Sequence, residues 1–209
     1  MRLARIPVAI ASQRDMLIPV LMVIGIFLCG LVCGALTLRG INPLVQEELR
    51  QYLDFFLKEA SAFSGQSFSG FKAWCQILSM QAFSLGLLWI FGLTVVGSPL
   101  IILVIGARGF IIGFTVGYLV QEAAGQGLVL ALAGVLPQNL CYIPAFLGAG
   151  ALAFYFSFTL LRGQRDAPFQ RLGVYSLLFL FFLLLVLIGA WVEAYLVPGL
   201  LRLILSLFH

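Results

Sequence analysis

Apolar and polar positions alternate along this chain in long blocks rather than residue by residue. The first block is an unbroken apolar run from about Met16 to Leu38, closed by Arg39-Gly40. A bilayer core of about 30 Å takes roughly 20 apolar residues in a helix, so this run predicts a spanning helix. The long polar stretch follows, from about Ile41 to Phe83. Asn42-Pro43 reads as a helix start, with Asn as the cap and Pro at the first helical position. After it Val45, Leu49, Tyr52, Leu53, Phe56, Ala60 and Phe63 recur at helical spacing, and Gln46, Glu47, Arg50, Asp54 and Lys58 lie on other faces. Ser64-Gly65-Gln66-Ser67 reads as a turn. A second amphipathic helix is expected to carry Phe71, Trp74, Cys75, Leu78 and Ala82 on one face. The pattern therefore predicts a helical hairpin over residues 41–83, outside the bilayer.

The later blocks are apolar. A second span is expected over 85–105, with Gly97-Ser98-Pro99 inside it, and a shorter third over 109–120, the two separated by Arg108. Gln121 to Gly127 is a polar link containing Glu122. Leu128 to Leu161 is too long for one span and is divided by Pro137-Gln138-Asn139. This predicts a re-entrant or broken half-helix over 128–136 and a span over 140–161. The loop from Arg162 to Arg171 precedes a last span over 172–192, which Glu193-Ala194-Tyr195 and Pro198 close, and Leu200 to Phe208 forms an interfacial tail. The fold class is thus all-α: a polytopic integral membrane protein of about five transmembrane helices, with the half-helix and an extracytoplasmic hairpin, as a single membrane domain over residues 1–209.

Composition strengthens this picture. Of 209 residues 62% are hydrophobic and 10% charged, against roughly 25% charged in soluble domains. The excess apolar surface has to face lipid. The net charge of +4 has no basic run that would serve a nucleic acid. It sets topology instead: Arg2, Arg5 and Arg14 near the N-terminus, and Arg162, Arg165 and Arg171 in the late loop, are expected on the cytoplasmic side. Arg2 and Arg5 before an apolar run resemble a signal peptide, but the run exceeds the roughly 7–15 residues of a signal core and reads as a retained span.

Candidate chemistry is sparse. Gly109, Gly113 and Gly117 share one helix face, and Gly30 and Gly34 make a weaker pair. Such spacing admits close helix approach, either within the chain or in a homo-oligomer. Pro137, Gln138 and Asn139 form a candidate functional break, because polar groups beside a broken helix at membrane depth can mark a substrate path. Structurally, the same residues can simply satisfy a turn. Arg108 reads as a topology anchor between spans, with a buried functional charge as the alternative. Glu193 reads as interfacial. The outward face of the hairpin, with Glu48, Asp54, Glu59 and Trp74, is the candidate dock for a partner. Cys29, Cys33, Cys75 and Cys141 have no neighbouring His or carboxylate and read as small apolar residues, so no metal is expected. No phosphate loop, nucleophile elbow or metalloprotease motif occurs, and no catalytic residue or cofactor is expected.

The segments LGLLWIFGLTVVGSP (Leu85 to Pro99), RGFIIGFTVGYLV (Arg108 to Val120), LPQNLCYIPA (Leu136 to Ala145) and EAYLVP (Glu193 to Pro198) together resemble the stage II sporulation protein M family. The resemblance extends from about residue 15 to residue 205, and GFTVGYLV followed by LPQN is its most specific part. It implies a polytopic protein of the mother-cell membrane at the asymmetric septum of an endospore-forming bacterium. It further implies a complex with stage II sporulation proteins D and P, a lytic transglycosylase and an amidase, which this protein would hold in place for septal wall thinning and engulfment. The resemblance carries no catalytic residue. The rival expectation is a channel- or transporter-like subunit that uses the break at Pro137.

Overall fold

The computed structural model describes residues 13–51, 70–122, 129, 132–161 and 168–207. Among them all regular structure is helical. Helix α1 spans Gln13–Thr37 and tightens into a 3-10 turn over Leu38–Gly40. Residues 43–51 form α2. Then come α3 over Gly70–Gly92, α4 over Gly97–Glu122, α5 over Leu136–Leu161 and α6 over Pro168–Trp191. A π-helical turn, Val192–Leu196, leads from α6 into α7, Val197–Leu207. Among the described residues five helices are long and apolar enough to cross a membrane.

The capping expected at Asn42 is present. The Leu44 amide donates to the Asn42 side chain at 3.3 Å, and the Val45 and Gln46 amides donate to its carbonyl. Of the hairpin expected over 41–83, residues 52–69, with the turn at Ser64–Ser67, lie outside the described residues. Its second arm is the first half of α3, which runs without interruption from Gly70 to Gly92. Three of the polar positions that suggest a helix in water are satisfied inside the bundle or along the helix. Gln81 bonds another span, and the Ser79 and Ser84 hydroxyls donate to the carbonyls of Gln76 and Met80. The expected spans over 85–105 and 109–120 are likewise replaced by α3 and α4, whose turn is formed by residues 93–96. Pro99 lies in the first turn of α4, where a missing N–H costs nothing because helix-start amides have no intrahelical partner.

The core gathers Val23 and Phe27 of α1, Leu85 and Leu88 of α3, Ile101 and Ile105 of α4, Tyr142 to Phe154 of α5, and Tyr175, Phe179 and Val186 of α6. The most extensive helix pair is α1 with α4. It is a parallel pair: Gly30 lies against Gly106 and Phe110, Gly34 against Phe110 and Phe114, Gly113 against Leu31, and Gly117 against Ala35 and Leu38. At Gly30, Gly34, Gly109 and Gly113 a Cβ would strike the backbone of the facing helix. Only glycine permits that approach. The glycine face singled out from sequence is therefore filled within one chain.

Side-chain bonds pin the α3–α4 turn. The fully buried Ser157 of α5 donates to the Thr94 carbonyl at 2.8 Å and meets the Ser98 hydroxyl at 3.0 Å. Tyr175 of α6 donates to the Trp89 carbonyl, and the Trp89 indole donates to Ser176.

Candidate functional site: a polar cluster inside the bundle

Arg108 is the twelfth residue of the 26-residue α4. At about 1.5 Å per residue it lies roughly 17 Å from the helix start, near the middle of an about 30 Å core. It is thus not an anchor between spans, as its break in the apolar run suggests, but a charge in the middle of one. A guanidinium there is costly unless other groups meet it. Gln81, midway along α3, accepts a hydrogen bond from it at 2.6 Å. The face of Phe146 lies 3.4 Å from its central carbon, a cation–π contact.

One turn before Phe146 on α5 stands Tyr142, 4% exposed. Its hydroxyl donates to Glu193 Oε2 at 2.7 Å. Tyr142 is within electrostatic reach of both Arg108 and Glu193, and Gln81 also approaches its hydroxyl. Glu193 is not simply interfacial: it sits in the π-helical turn and points its carboxylate back into the bundle. A polar line thus runs from the mid-depth pair Gln81 and Arg108, through Tyr142, to Glu193 near the far end of α6. It joins one positive and one negative residue across four elements.

The cavity beside this line is lined by Arg108, Asn139 and Tyr142 together with apolar residues such as Phe27 and Phe146, and measures about 10 Å³. That is about the space one water needs.

Pro137, Gln138 and Asn139 follow an interruption of the helical run at Val135. They form the first turn of α5, directly after a helical turn at 132–134. Gln138 and Asn139 donate back to the carbonyls of Gly134 and Val135, each at 2.6 Å. Pro137 fits a helix start for the same reason as Pro99. Residues 128, 130 and 131 of the expected half-helix lie outside the described residues. Of the candidate docking residues, Glu48 is exposed on α2. Trp74 is half-buried in α3, with its ring against Phe71 and its indole nitrogen enclosed. Asp54 and Glu59 lie outside the described residues. Cys29, Cys33 and Cys75 are exposed thiols and Cys141 is partly buried.

Sequence reasoning missed Gln81, Tyr142 and Phe146. One signal pointed to the site: Arg108 and Glu193 are opposite charges in or at the end of apolar segments, and opposite charges in a membrane tend to find each other.

These features define a class, the all-helical polytopic membrane protein whose spans enclose a charged cluster. A family model described as stage II sporulation protein M matches residues 23–198, and the chain belongs to that family. It is a sporulation-related membrane protein. No curated protein and no solved structure matches the chain.

Proposed function

We propose that the protein is a non-catalytic scaffold in the septal membrane of the mother cell, holding the peptidoglycan hydrolases stage II sporulation proteins D and P where wall thinning begins engulfment. Its N-terminus lies in the cytoplasm, because the sequence carries arginines before the first span and between the fourth and fifth, an even number of crossings apart. The observation that carries this reading is how the interior is used. The α1–α4 seam is closed backbone to backbone, the charged cluster is spent on its own members, and the cavity beside it is about 10 Å³. A channel- or transporter-like subunit needs a continuous polar path; a scaffold needs a stable body and a surface beyond the membrane.

That surface is shorter than the sequence pattern suggests, because α3 claims residues from Gly70 onward. The dock is accordingly placed on the segment that starts with α2 and carries Glu48, Asp54 and Glu59, with Trp74 at the membrane edge. The test is co-purification of the hydrolases from sporulating cells. Glu48→Lys with Glu59→Lys should lower their recovery while membrane insertion stays intact. Wild-type recovery, both from that variant and from a chain with residues 41–69 replaced by a neutral linker, would refute docking through this segment.

A further inference from the structure

The junction between α6 and α7 combines three features. First, Val192–Leu196 is π-helical: the Val197 amide donates to the Val192 carbonyl, five residues back. Pro198 explains the wide turn, since it has no N–H for the carbonyl four residues earlier and its ring would strike that carbonyl in a regular helix. Such turns are frequent at functional sites, and each carries one residue more than an α turn. Closing it to α geometry would rotate everything beyond it by about 100°. Second, α7 is seated apart from the main core. Val197 and Leu201 pack with Ala133, flanked by Leu200 and Ile204, in a cluster of their own. Among the described residues this cluster is small, and elements held by few apolar contacts open at low cost. Third, no residue of the π turn is buried, yet Glu193 within it is held by Tyr142 at 2.7 Å, and through Tyr142 by the Arg108 cluster.

We infer that α7 is a hinged arm at the membrane edge, latched to the membrane interior by the Tyr142–Glu193 hydrogen bond, with the π turn as its hinge. With the latch closed, Leu201 sits on Ala133. With the latch open, the arm leaves its seat while the helices up to Trp191 stay packed, because among the described residues none of those in the main core belongs to the arm's cluster. A change at Arg108, Gln81 or Tyr142 would thus be felt at the surface through the position of α7.

The test measures how often the seat opens, using full-length protein without its four native thiols. Leu201→Cys places a thiol in the seat and Leu203→Cys places one on the exposed side of the same helix, 6% and 61% exposed. Each is reacted with a water-soluble maleimide in detergent. An interhelical hydrogen bond in a membrane protein changes an opening equilibrium by about threefold. Tyr142→Phe should therefore speed labelling at Leu201→Cys by about threefold and leave Leu203→Cys unchanged. An unchanged rate at Leu201→Cys overturns the latch, and so does an equal rise at both thiols, which would report general unfolding. Hydrogen exchange on the unaltered protein is a second measure, independent of whether Tyr142→Phe folds. The amides of 199–207 should exchange as a block, faster than those of 175–190. Equal protection of the two segments overturns the hinge.

Discussion

The α1–α4 seam makes a sharp prediction because two glycines on α1 and α4 meet opposite surroundings. At Gly113 a Cβ would strike the Leu31 carbonyl oxygen, with the Leu31 carbonyl carbon at 2.7 Å and its Cα at 2.9 Å. These are backbone atoms and cannot rotate aside, so α1 and α4 have to move apart. At Gly25 a Cβ would meet nothing within 4 Å. Replacing either glycine by alanine gains the same helix propensity, about 0.8–1.0 kcal/mol. Only Gly113→Ala adds overpacking, at about 1–3 kcal/mol. The propensity gain cancels in the comparison. Gly113→Ala should therefore be less stable than Gly25→Ala by about 1–3 kcal/mol, while Gly25→Ala itself should equal or exceed wild type. Each kcal/mol moves a midpoint by about 2–4 °C in a chain of this length, so the two variants should melt about 2–12 °C apart in the same micelle. Coincident melting midpoints would falsify the backbone-to-backbone seam.

The charged cluster should behave as a unit. Arg108→Met alone should cost about 3–5 kcal/mol by stranding Glu193, whereas Arg108→Met with Glu193→Gln should cost less than the sum of the single changes; strict additivity in a double-mutant cycle of thermal stabilities would deny the coupling. Ser157→Ala removes both the bond to the Thr94 carbonyl and the partner of Ser98, and should cost about 0.6–1.7 kcal/mol, with faster hydrogen exchange at residues 93–96; unchanged exchange there would show that the turn is held by other contacts. Topology can be read by labelling single cysteines at Gln51 and Gln164 in a thiol-free background. Only Gln51 should react with an impermeant reagent applied to whole cells, and equal reaction at both would refute the assigned orientation.

The membrane class, five spans, the Asn42 cap and the glycine spacing were legible in the sequence because each is a local pattern. The errors have a common physical origin. Residues 70–84 read as a helix in water because Lys72, Gln76, Ser79, Gln81 and Ser84 interrupt the apolar run. The helix nonetheless continues unbroken into the span, and Gln81 within it is met by Arg108, 27 positions away in the chain. Arg108 itself read as a boundary because its acceptor and its aromatic cover lie on two other helices. Moving the boundary displaced Gly97-Ser98-Pro99 from a helix start to a helix interior, although Pro suits only the first of these without distortion. Glu193 and Tyr142, 51 positions apart, are joined by no sequence period. Pairings between helices decide this site, and a one-dimensional pattern does not record them.

The parallel arrangement of α1 and α4 also constrains the order of assembly. Two helices consecutive in the membrane run antiparallel, so a parallel pair requires an intervening span, here α3. When α1 first enters the bilayer, its glycine face has no partner, and roughly 75 residues separate Gly30 from Gly106. At about 5–20 residues per second of synthesis, the face stays open for several seconds. During that time α1 must be shielded by lipid, by the insertion machinery or by another nascent helix. Its backbone, bared at Gly30 and Gly34, would accept any small-residue helix that arrives first. The seam therefore closes only once α4 has been made, and a chain that stops before residue 97 leaves the glycine face of α1 without the helix that fills it.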